Sequence, residues 1–428
     1  MNLAEKDKQY IWHPFTQMKI AGDPIQIVRA KDTMLYAADG KQYIDAISSW
    51  WVNLHGHSNH FIAESIARQA KNLEHVIFAG FTHQPAIELA ESLIKVLAGH
   101  FSKIFFSDNG STAVEVALKM TLQYWYNQGI YTKTKVIAFS NAYHGDTFGA
   151  MSAGARSTFN AAFNPLLFEV YHLPVPNENN IDATKTQLLQ LADDNNVAAF
   201  IFEPLVQGAG GMLMHKAALL DQLIAIAKEK NILCIADEVM TGFGRTGKNF
   251  AINYLQHQPD IICLSKGITG GFMPLGVTAC SQKIFDAFYA DEMEKTFFHG
   301  HSYTANPIAC AAANASLTLL LGDDCVQQIK MISDSHHSFA REIESENFVK
   351  EVRQQGTILA IELNTNENTS YFNTIKNEAY NFYLKNGVLL RPLGNVVYIM
   401  PPYCITKQEL GKIYAVIAAS LQHLKKLS

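Results

Sequence analysis

The residues best suited to chemistry are an aspartate and a lysine that follow two apolar segments near the middle of the chain. Asp237 comes directly after residues 232–236, and Lys266 comes just after residues 261–264. In α/β proteins, ligands bind beyond the ends of such strands. A buried lysine is costly unless it is paired or takes part in a reaction. The two residues are therefore either a structural ion pair or a reactive amine with an acidic partner.

Glycine-rich segments follow both residues. The sequence Thr-Gly-Phe-Gly-Arg-Thr-Gly occupies residues 241–247, and Gly267, Gly270 and Gly271 follow the lysine. Because glycine has no side chain, such segments let the backbone approach a flat ligand closely. This context favours a ligand-binding reactive site over a structural ion pair.

The elements that must position these residues alternate between two patterns from about residue 60 onward. Short, nearly continuous apolar segments are typical of parallel strands buried on both faces. They occupy residues 136–139, 197–202, 232–236, 261–264 and 276–280, and a further short strand is expected at residues 103–106. Helical periodicity occupies residues 61–73, 86–97, 113–126 and 217–230. The alternation predicts an α/β domain with a mostly parallel sheet.

The pattern changes after about residue 325. Strands at residues 358–363 and 396–400 mix there with helices at residues 371–385 and 407–424. We expect a large domain over residues 61–325 and a smaller α+β domain over residues 326–428. Residues 1–60 are expected to join the smaller domain or to cross a subunit interface.

Composition excludes several classes of function. Lys and Arg number 34 against 39 Asp and Glu, so the chain lacks the basic excess of a nucleic-acid binder. No apolar run reaches the ~18–20 residues of a membrane span, and the N-terminus lacks the apolar core of a signal peptide. Six cysteines without a CxxC pair indicate free thiols rather than disulfides or a metal site. We therefore expect a cytoplasmic protein with no nucleic-acid or membrane partner.

The segment Asp237-Glu238-Val239, the glycine-rich residues 241–247 and Lys266 together resemble the active site of class III (omega-type) aminotransferases. The resemblance implies the aspartate-aminotransferase-like fold, known as fold type I, and pyridoxal 5'-phosphate as cofactor. It implies that Lys266 holds the cofactor as a Schiff base and moves protons at the substrate Cα, while Asp237 keeps the pyridine nitrogen protonated. A non-catalytic pyridoxal-binding regulator is the alternative, which the short, non-basic N-terminal segment disfavours.

Further cofactor contacts follow from the same resemblance. Gly110 and Ser111 precede a predicted helix, whose first backbone amides would bind the phosphate. Tyr143 is expected to stack on the pyridine ring and to border the substrate. The loop at residues 203–211 matches a family loop on the O3′ side of the cofactor. Met240 stands where many relatives carry glutamine, so one common cofactor contact is absent.

A loop before the predicted helix at residues 305–320 points to a second subunit. In the family, the corresponding segment reaches the active site of the neighbouring subunit. The resemblance assigns His301 and Ser302 to the partner's cofactor phosphate and Gly300 to its substrate site, although relatives often carry proline in place of His301. It therefore implies a homodimer with shared active sites.

Three further segments resemble family members that convert 7-keto-8-aminopelargonate to 7,8-diaminopelargonate in biotin biosynthesis. They lie at residues 11–18, 48–57 and 391–403. That substrate has a nine-carbon chain and one carboxylate. Trp50 and Trp51 are expected to form the apolar wall, and Arg391 to clamp the carboxylate. Asp146 and Arg245 are expected either to pair near the substrate mouth or to be structural.

Phe15 bears on the amino donor. Relatives that use S-adenosylmethionine commonly carry tyrosine in the His-Pro-Tyr-Thr segment, where the hydroxyl helps recognise substrate. The chain has Phe15 there, so we expect a substrate contact without that hydroxyl. S-adenosylmethionine is the expected donor, with lysine or another amine as the alternative. A second alternative is an omega-aminotransferase of different amine specificity.

Overall fold

The computed structural model of the protein describes residues 2–97 and 100–426. Within these ranges the chain alternates strands and helices along most of its length. The strands are β1 (Ile27–Lys31), β2 (Met34–Ala37), β3 (Gln42–Asp45), β4 (Phe101–Ser107), β5 (Lys135–Phe139), β6 (Val170–Leu173), β7 (Val197–Phe202), β8 (Val206–Gln207), β9 (Leu213–Met214), β10 (Leu233–Asp237), β11 (Ile261–Leu264), β12 (Gly276–Ser281), β13 (Val349–Gln355), β14 (Ile358–Leu363), β15 (Val388–Leu389) and β16 (Val396–Ile399).

The helices pack on both sides of the largest sheet and around the smaller ones. They are α1 (Leu3–Tyr10), α2 (Ser48–Trp51), α3 (His60–Asn72), α4 (Gln84–Val96), α5 (Gly110–Asn127), α6 (Phe148–Ala153), α7 (Ile181–Asp193), α8 (Ala217–Glu229), α9 (Gln282–Asp286), α10 (Pro307–Leu320), α11 (Asp323–Ile343), α12 (Ile375–Lys385) and α13 (Lys407–Leu424). Among the described residues, no helix combines the length and apolarity that a membrane crossing requires.

A seven-stranded sheet in the order β4-β12-β11-β10-β7-β5-β6 forms the centre of the molecule. The neighbours from β11 to β6 pair in parallel, whereas β12 is antiparallel to both β11 and β4. The sheet confirms the predicted α/β class. The expectation that residues 276–280 form a parallel strand is wrong. Burial of every residue of β12 explains its apolar sequence, and burial does not depend on strand direction.

Two element boundaries near the candidate site differ from the expected ones. Helix α5 begins at Gly110 rather than at residue 113, because the Asn109 side chain accepts a hydrogen bond from the Thr112 amide and caps the helix. Gly110 therefore belongs to the first turn of the helix. Helix α12 begins at Ile375 rather than at residue 371. Several strands of the structure were not predicted, namely β1, β2, β3, β6, β8, β9, β13 and β15.

The N-terminal segment pairs with the C-terminal part of the chain. A four-stranded sheet has the order β1-β2-β3-β15, and β3 and β15 are parallel, with Ile44 opposite Val388. Strands β13, β14 and β16 form a separate antiparallel sheet. The division at residues 60 and 325 remains a prediction, and the β3–β15 pair is the contact that favours grouping the first segment with the last.

Arg245, which follows the central strand β10, forms hydrogen bonds to both the N-terminal and the C-terminal segments. Its guanidinium is buried and donates to the carbonyl oxygens of Pro401 at 2.8 Å and Asn53 at 3.1 Å, with a longer contact to that of Trp51 at 3.5 Å. One side chain thus satisfies backbone acceptors from both ends of the chain. Arg245 makes no ion pair with Asp146 among the described residues, and its hydrogen bonds to backbone carbonyls give it the structural one of the two expected roles.

We predict that Arg245→Met lowers the free energy of unfolding by about 3 kcal/mol, because buried carbonyls lose their donors. Chemical denaturation of the purified variant measures the change. Lys248→Met removes an exposed cation from the same segment and is expected to change stability by less than about 0.5 kcal/mol. Equal stability of the two variants would contradict the role assigned to Arg245.

Candidate active site

Asp237 and Lys266 lie at the same edge of the central sheet. Asp237 is the last residue of β10, and its register partner on the parallel strand β11 is Cys263. Lys266 begins a short 3-10 turn two residues after β11 ends. Both side chains border a cavity of about 670 Å³. The sheet therefore brings the two residues together, as parallel neighbouring strands require.

The carboxylate of Asp237 is held by His144 and not by the lysine. Asp237 Oδ2 lies 2.7 Å from His144 Nδ1, and Oδ1 accepts a hydrogen bond from the Val239 amide at 3.1 Å. Both members of the Asp237–His144 pair are buried. Lys266 Nζ lies 4.6 Å from the centre of the Trp51 ring and makes no ion pair within the described ranges. The structural ion pair is thus absent, and the amine faces the cavity.

His144 is a site residue that the sequence reasoning did not assign. Burial lowers the pKa of its imidazole, but the hydrogen bond and charge of Asp237 outweigh burial and raise the pKa overall. A protonated His144 balances the buried carboxylate. The sequence feature that could have identified His144 is its position directly after Tyr143, in a loop that follows a buried strand.

Burial lowers the pKa of Lys266, although the negative charges of Asp237 and Glu203 partly oppose this effect. A lower pKa leaves more of the amine neutral near pH 7, and the neutral form is the nucleophile and proton acceptor. Lys266 also has φ of 45°, in the left-handed region that non-glycine residues rarely adopt. Such strain is common at functional sites, where surrounding structure holds a side chain in place.

Glu203 links two loops beneath the cavity. Its carboxyl accepts hydrogen bonds from the backbone amides of Tyr143 at 3.2 Å and Gly208 at 2.9 Å. Burial raises the pKa of Glu203 to about 7, with the charge of His144 opposing this rise. Glu203 therefore fixes the loop that carries Tyr143 relative to the glycine-rich loop expected on the O3′ side.

The N-terminus of α5 forms the opposite end of the cavity. Gly110 and Ser111 lie in the first turn of this 18-residue helix and border the cavity. Gly145 has φ of 137°, and a Cβ atom there would lie 2.1 Å from Ser111 Oγ. Ser111 Oγ accepts a hydrogen bond from the Asp146 amide at 3.1 Å. Free amides at a helix start, with a glycine packed against them, suit a phosphate group.

The predicted substrate residues fall into two groups. Trp51 is buried, borders the cavity and donates from Nε1 to the hydroxyl of Tyr398 at 3.0 Å. Trp50 is 39% exposed and lies outside the cavity lining. The Arg391 guanidinium lies 4.5 Å from the centre of the Trp50 ring, and the Phe15 ring packs edge-on against Trp50 at 5.6 Å. Phe15, Trp50 and Arg391 thus form one cluster.

Gly300, His301 and Ser302 do not border the cavity of their own chain. Gly300 and Ser302 are exposed, and the His301 amide bonds to Thr304 Oγ1 within the same loop. The structure therefore leaves their assignment to a partner's site as a prediction.

Comparisons with known proteins agree with this geometry. The family model described as aminotransferase class-III matches residues 18–421. The chain is 49% identical over 423 residues to the adenosylmethionine-8-amino-7-oxononanoate aminotransferase of Synechococcus elongatus, covering 97% of this chain and 99% of the relative. It is 39% identical over 438 residues to the Helicobacter pylori enzyme of the same name, covering 99% of both chains.

Solved structures give the same result. The crystal structure of the Methanocaldococcus jannaschii adenosylmethionine-8-amino-7-oxononanoate aminotransferase matches with a TM-score of 0.94 and 34% identity over 98% of both chains. An omega transaminase from Pseudomonas jessenii in complex with PMP matches with a TM-score of 0.94 and 27% identity, over 100% of this chain and 99% of that one.

The chain belongs to the aminotransferase class-III family. It is a pyridoxal-phosphate-dependent aminotransferase, and the expected fold type I and cofactor are confirmed. The cavity suits this cofactor, because the first turn of α5 and the cradle at Gly145 suit a phosphate and the buried Asp237 suits a protonated ring nitrogen. Lys266 supplies the amine.

We predict that in the cofactor-free protein Lys266 reacts with acetic anhydride at lower pH than exposed lysines such as Lys19 do. Burial is the cause, and mass spectrometry of the labelled peptides over a pH series gives the midpoint for each lysine. Asp237→Asn removes a charge that favours the ammonium form, so the Lys266 midpoint should fall further. A Lys266 midpoint at or above that of Lys19 would contradict the effect of burial.

Proposed function

We propose that the enzyme transfers an amino group to 7-keto-8-aminopelargonate and forms 7,8-diaminopelargonate, a step of biotin biosynthesis. The observation that carries this proposal is the guanidinium of Arg391, which lies against Trp50 and makes no ion pair with a carboxylate of the described chain. A cation beside an apolar surface suits a long-chain acid. The name shared by the similar proteins supports the same substrate.

Each residue has a part in this proposal. When bound, pyridoxal phosphate withdraws electrons from the substrate and carries the amino group between donor and acceptor. Lys266 takes the proton from the donor Cα and returns one to the acceptor carbon. Asp237, with its charge held by His144, would keep the ring nitrogen protonated, and Tyr143 and Trp51, which line the cavity, would exclude water from the reacting atoms. Arg391 binds the carboxylate.

We also propose S-adenosylmethionine as the amino donor. The names of the similar proteins, which begin with adenosylmethionine, support this donor. Phe15 favours the alternative, lysine, because relatives that use S-adenosylmethionine commonly carry a tyrosine hydroxyl here, whereas Phe15 packs an apolar ring against Trp50 and Phe159.

We expect the holoenzyme to form 7,8-diaminopelargonate from 7-keto-8-aminopelargonate with S-adenosylmethionine, and not with L-lysine, as measured by mass spectrometry of the products. In a second measurement, the enzyme is mixed with each donor alone. The absorbance of the cofactor bound to Lys266 should disappear only with the true donor. Lys266→Ala, the matched inactive control, should lose turnover by about 10⁴-fold or more. Diamine formation with lysine alone would overturn the donor assignment, and no diamine with either donor would overturn the proposed function.

We propose further that the enzyme works as a cytoplasmic homodimer whose active sites are shared. The unpaired cysteines of the described chain agree with a reducing compartment. The exposed loop around Ser302, together with exposed Phe298 and Tyr303, supports a subunit contact there.

Heterodimers isolated with two affinity tags test the shared site. A dimer with Lys266→Ala on one chain and Ser302→Trp on the other is expected to keep one intact site, and so about half of the wild-type activity. The matched control carries both changes on one chain beside a wild-type partner and should be inactive. If each chain held a complete site, the control would keep the activity and the first dimer would lose it.

A further inference from the structure

A second polar cluster lies beside Arg391, outside the catalytic cavity. Lys376 Nζ lies 3.4 Å from the centre of the Tyr371 ring. Burial raises the pKa of the Tyr371 hydroxyl, but hydrogen bonding and positive charge from Lys376, and then from Arg391, outweigh it and lower the pKa overall. Lys376 thus packs over the face of the Tyr371 ring, and the charges of Lys376 and Arg391 both act on its hydroxyl.

The backbone holds Tyr371 in this place. Gly394, three residues after Arg391, has φ of 65°, and a Cβ atom there would lie 1.7 Å from the Ser370 carbonyl oxygen and 3.1 Å from Tyr371 Cα. The loop before α12 therefore packs directly on the segment that carries Arg391. Buried Asn373 anchors the loop, since its side-chain amide donates to Thr365 Oγ1 at 2.8 Å.

Tyr371 also belongs to a group of aromatic rings that continues to the predicted substrate residues. Phe159 packs edge-on against Tyr371 at 4.8 Å and against Phe15 at 6.3 Å, and Phe15 in turn contacts Trp50. We call Phe15, Trp50, Phe159 and Tyr371 the aromatic rim. Phe15 lacks a hydroxyl, so the phenol of this rim is supplied by Tyr371.

The charge of the cluster is unbalanced. Neither Arg391 nor Lys376 makes an ion pair with an acidic side chain in the described ranges. Two neighbouring cations repel each other, and an entering anion relieves that repulsion. A carboxylate has acceptor sites for a guanidinium fork, an ammonium group and a hydroxyl at once.

We propose that Tyr371 and Lys376 are specificity-determining residues, which together with Arg391 bind the carboxylate end of the long-chain substrate. The inference rests on the proposed function for the identity of that substrate. The Tyr371 hydroxyl donates to one carboxylate oxygen, Arg391 binds both, and Lys376 adds positive charge. The aromatic rim contacts the methylene chain.

Binding of an unreactive nine-carbon acid to the holoenzyme tests this inference. Calorimetric titration with nonanoate and with nonanamide compares a ligand that has the carboxylate with one that lacks the charge. Tyr371→Phe should weaken nonanoate binding about tenfold and leave nonanamide binding unchanged. Lys376→Met should weaken nonanoate binding about threefold. Tyr380→Phe is the matched control. It removes another tyrosine hydroxyl, whose pKa burial raises and the positive charge of Arg391 partly lowers, but to which Arg391 makes no hydrogen bond in the described structure.

Unchanged nonanoate affinity in both variants would overturn the inference, as would an equal loss for nonanamide. If Tyr371→Phe does not fold, Lys376→Met decides alone. The result is separable from the proposed function. Loss of nonanoate affinity in the variants supports a carboxylate site even if the wild-type enzyme forms no diamine, whereas unchanged affinity overturns it even if diamine is formed.

Discussion

The site depends on keeping a buried lysine near a buried carboxylate without letting the two neutralise each other. If Asp237 paired with Lys266, the ammonium form would be stabilised and the amine would lose its nucleophilicity. The bond from His144 to Asp237 prevents this, because the imidazole supplies the positive charge that the carboxylate needs. Adjacent parallel strands bring the two residues to one edge of the sheet. Because Asp237 pairs there with His144, the amine of Lys266 stays available for reaction.

A second constraint acts on the wall of the cavity. Ser48, Ser49 and Trp51 all have positive φ, which non-glycine residues rarely adopt. Buried Asp45 offsets this cost, since its carboxylate accepts hydrogen bonds from the backbone amide and hydroxyl of Ser49, both at 2.9 Å. The strained turn places Trp51 against Lys266 while Trp50 faces the mouth with Arg391. Adjacent tryptophans thereby serve two different surfaces.

The sequence predicted most accurately those features that depend on burial and local chemistry. Strands β7 and β11 match the expected residues because every residue in them is buried, so the apolar run ends where the strand ends. The direction of β12 depends on its pairing with strands that are distant in the chain. The start of α5 depends on a single hydrogen bond to the Asn109 side chain. The clustering of Phe15, Phe159 and Tyr371 was beyond prediction for the same reason, since these residues come from three separate loops.

The catalytic cavity and the substrate mouth solve different electrostatic problems. Inside the cavity, the charge of Asp237 is balanced by His144, because an unbalanced charge in a desolvated site would be costly. At the mouth, Arg391 and Tyr371 remain partly exposed. Water there lowers the free-energy cost of a cation such as Arg391, which has no acidic partner among the described residues. An anionic substrate can therefore gain binding energy at the mouth without disturbing the charges around Lys266. This separation allows substrate preference to change through residues of the rim while the proton transfer stays with Lys266.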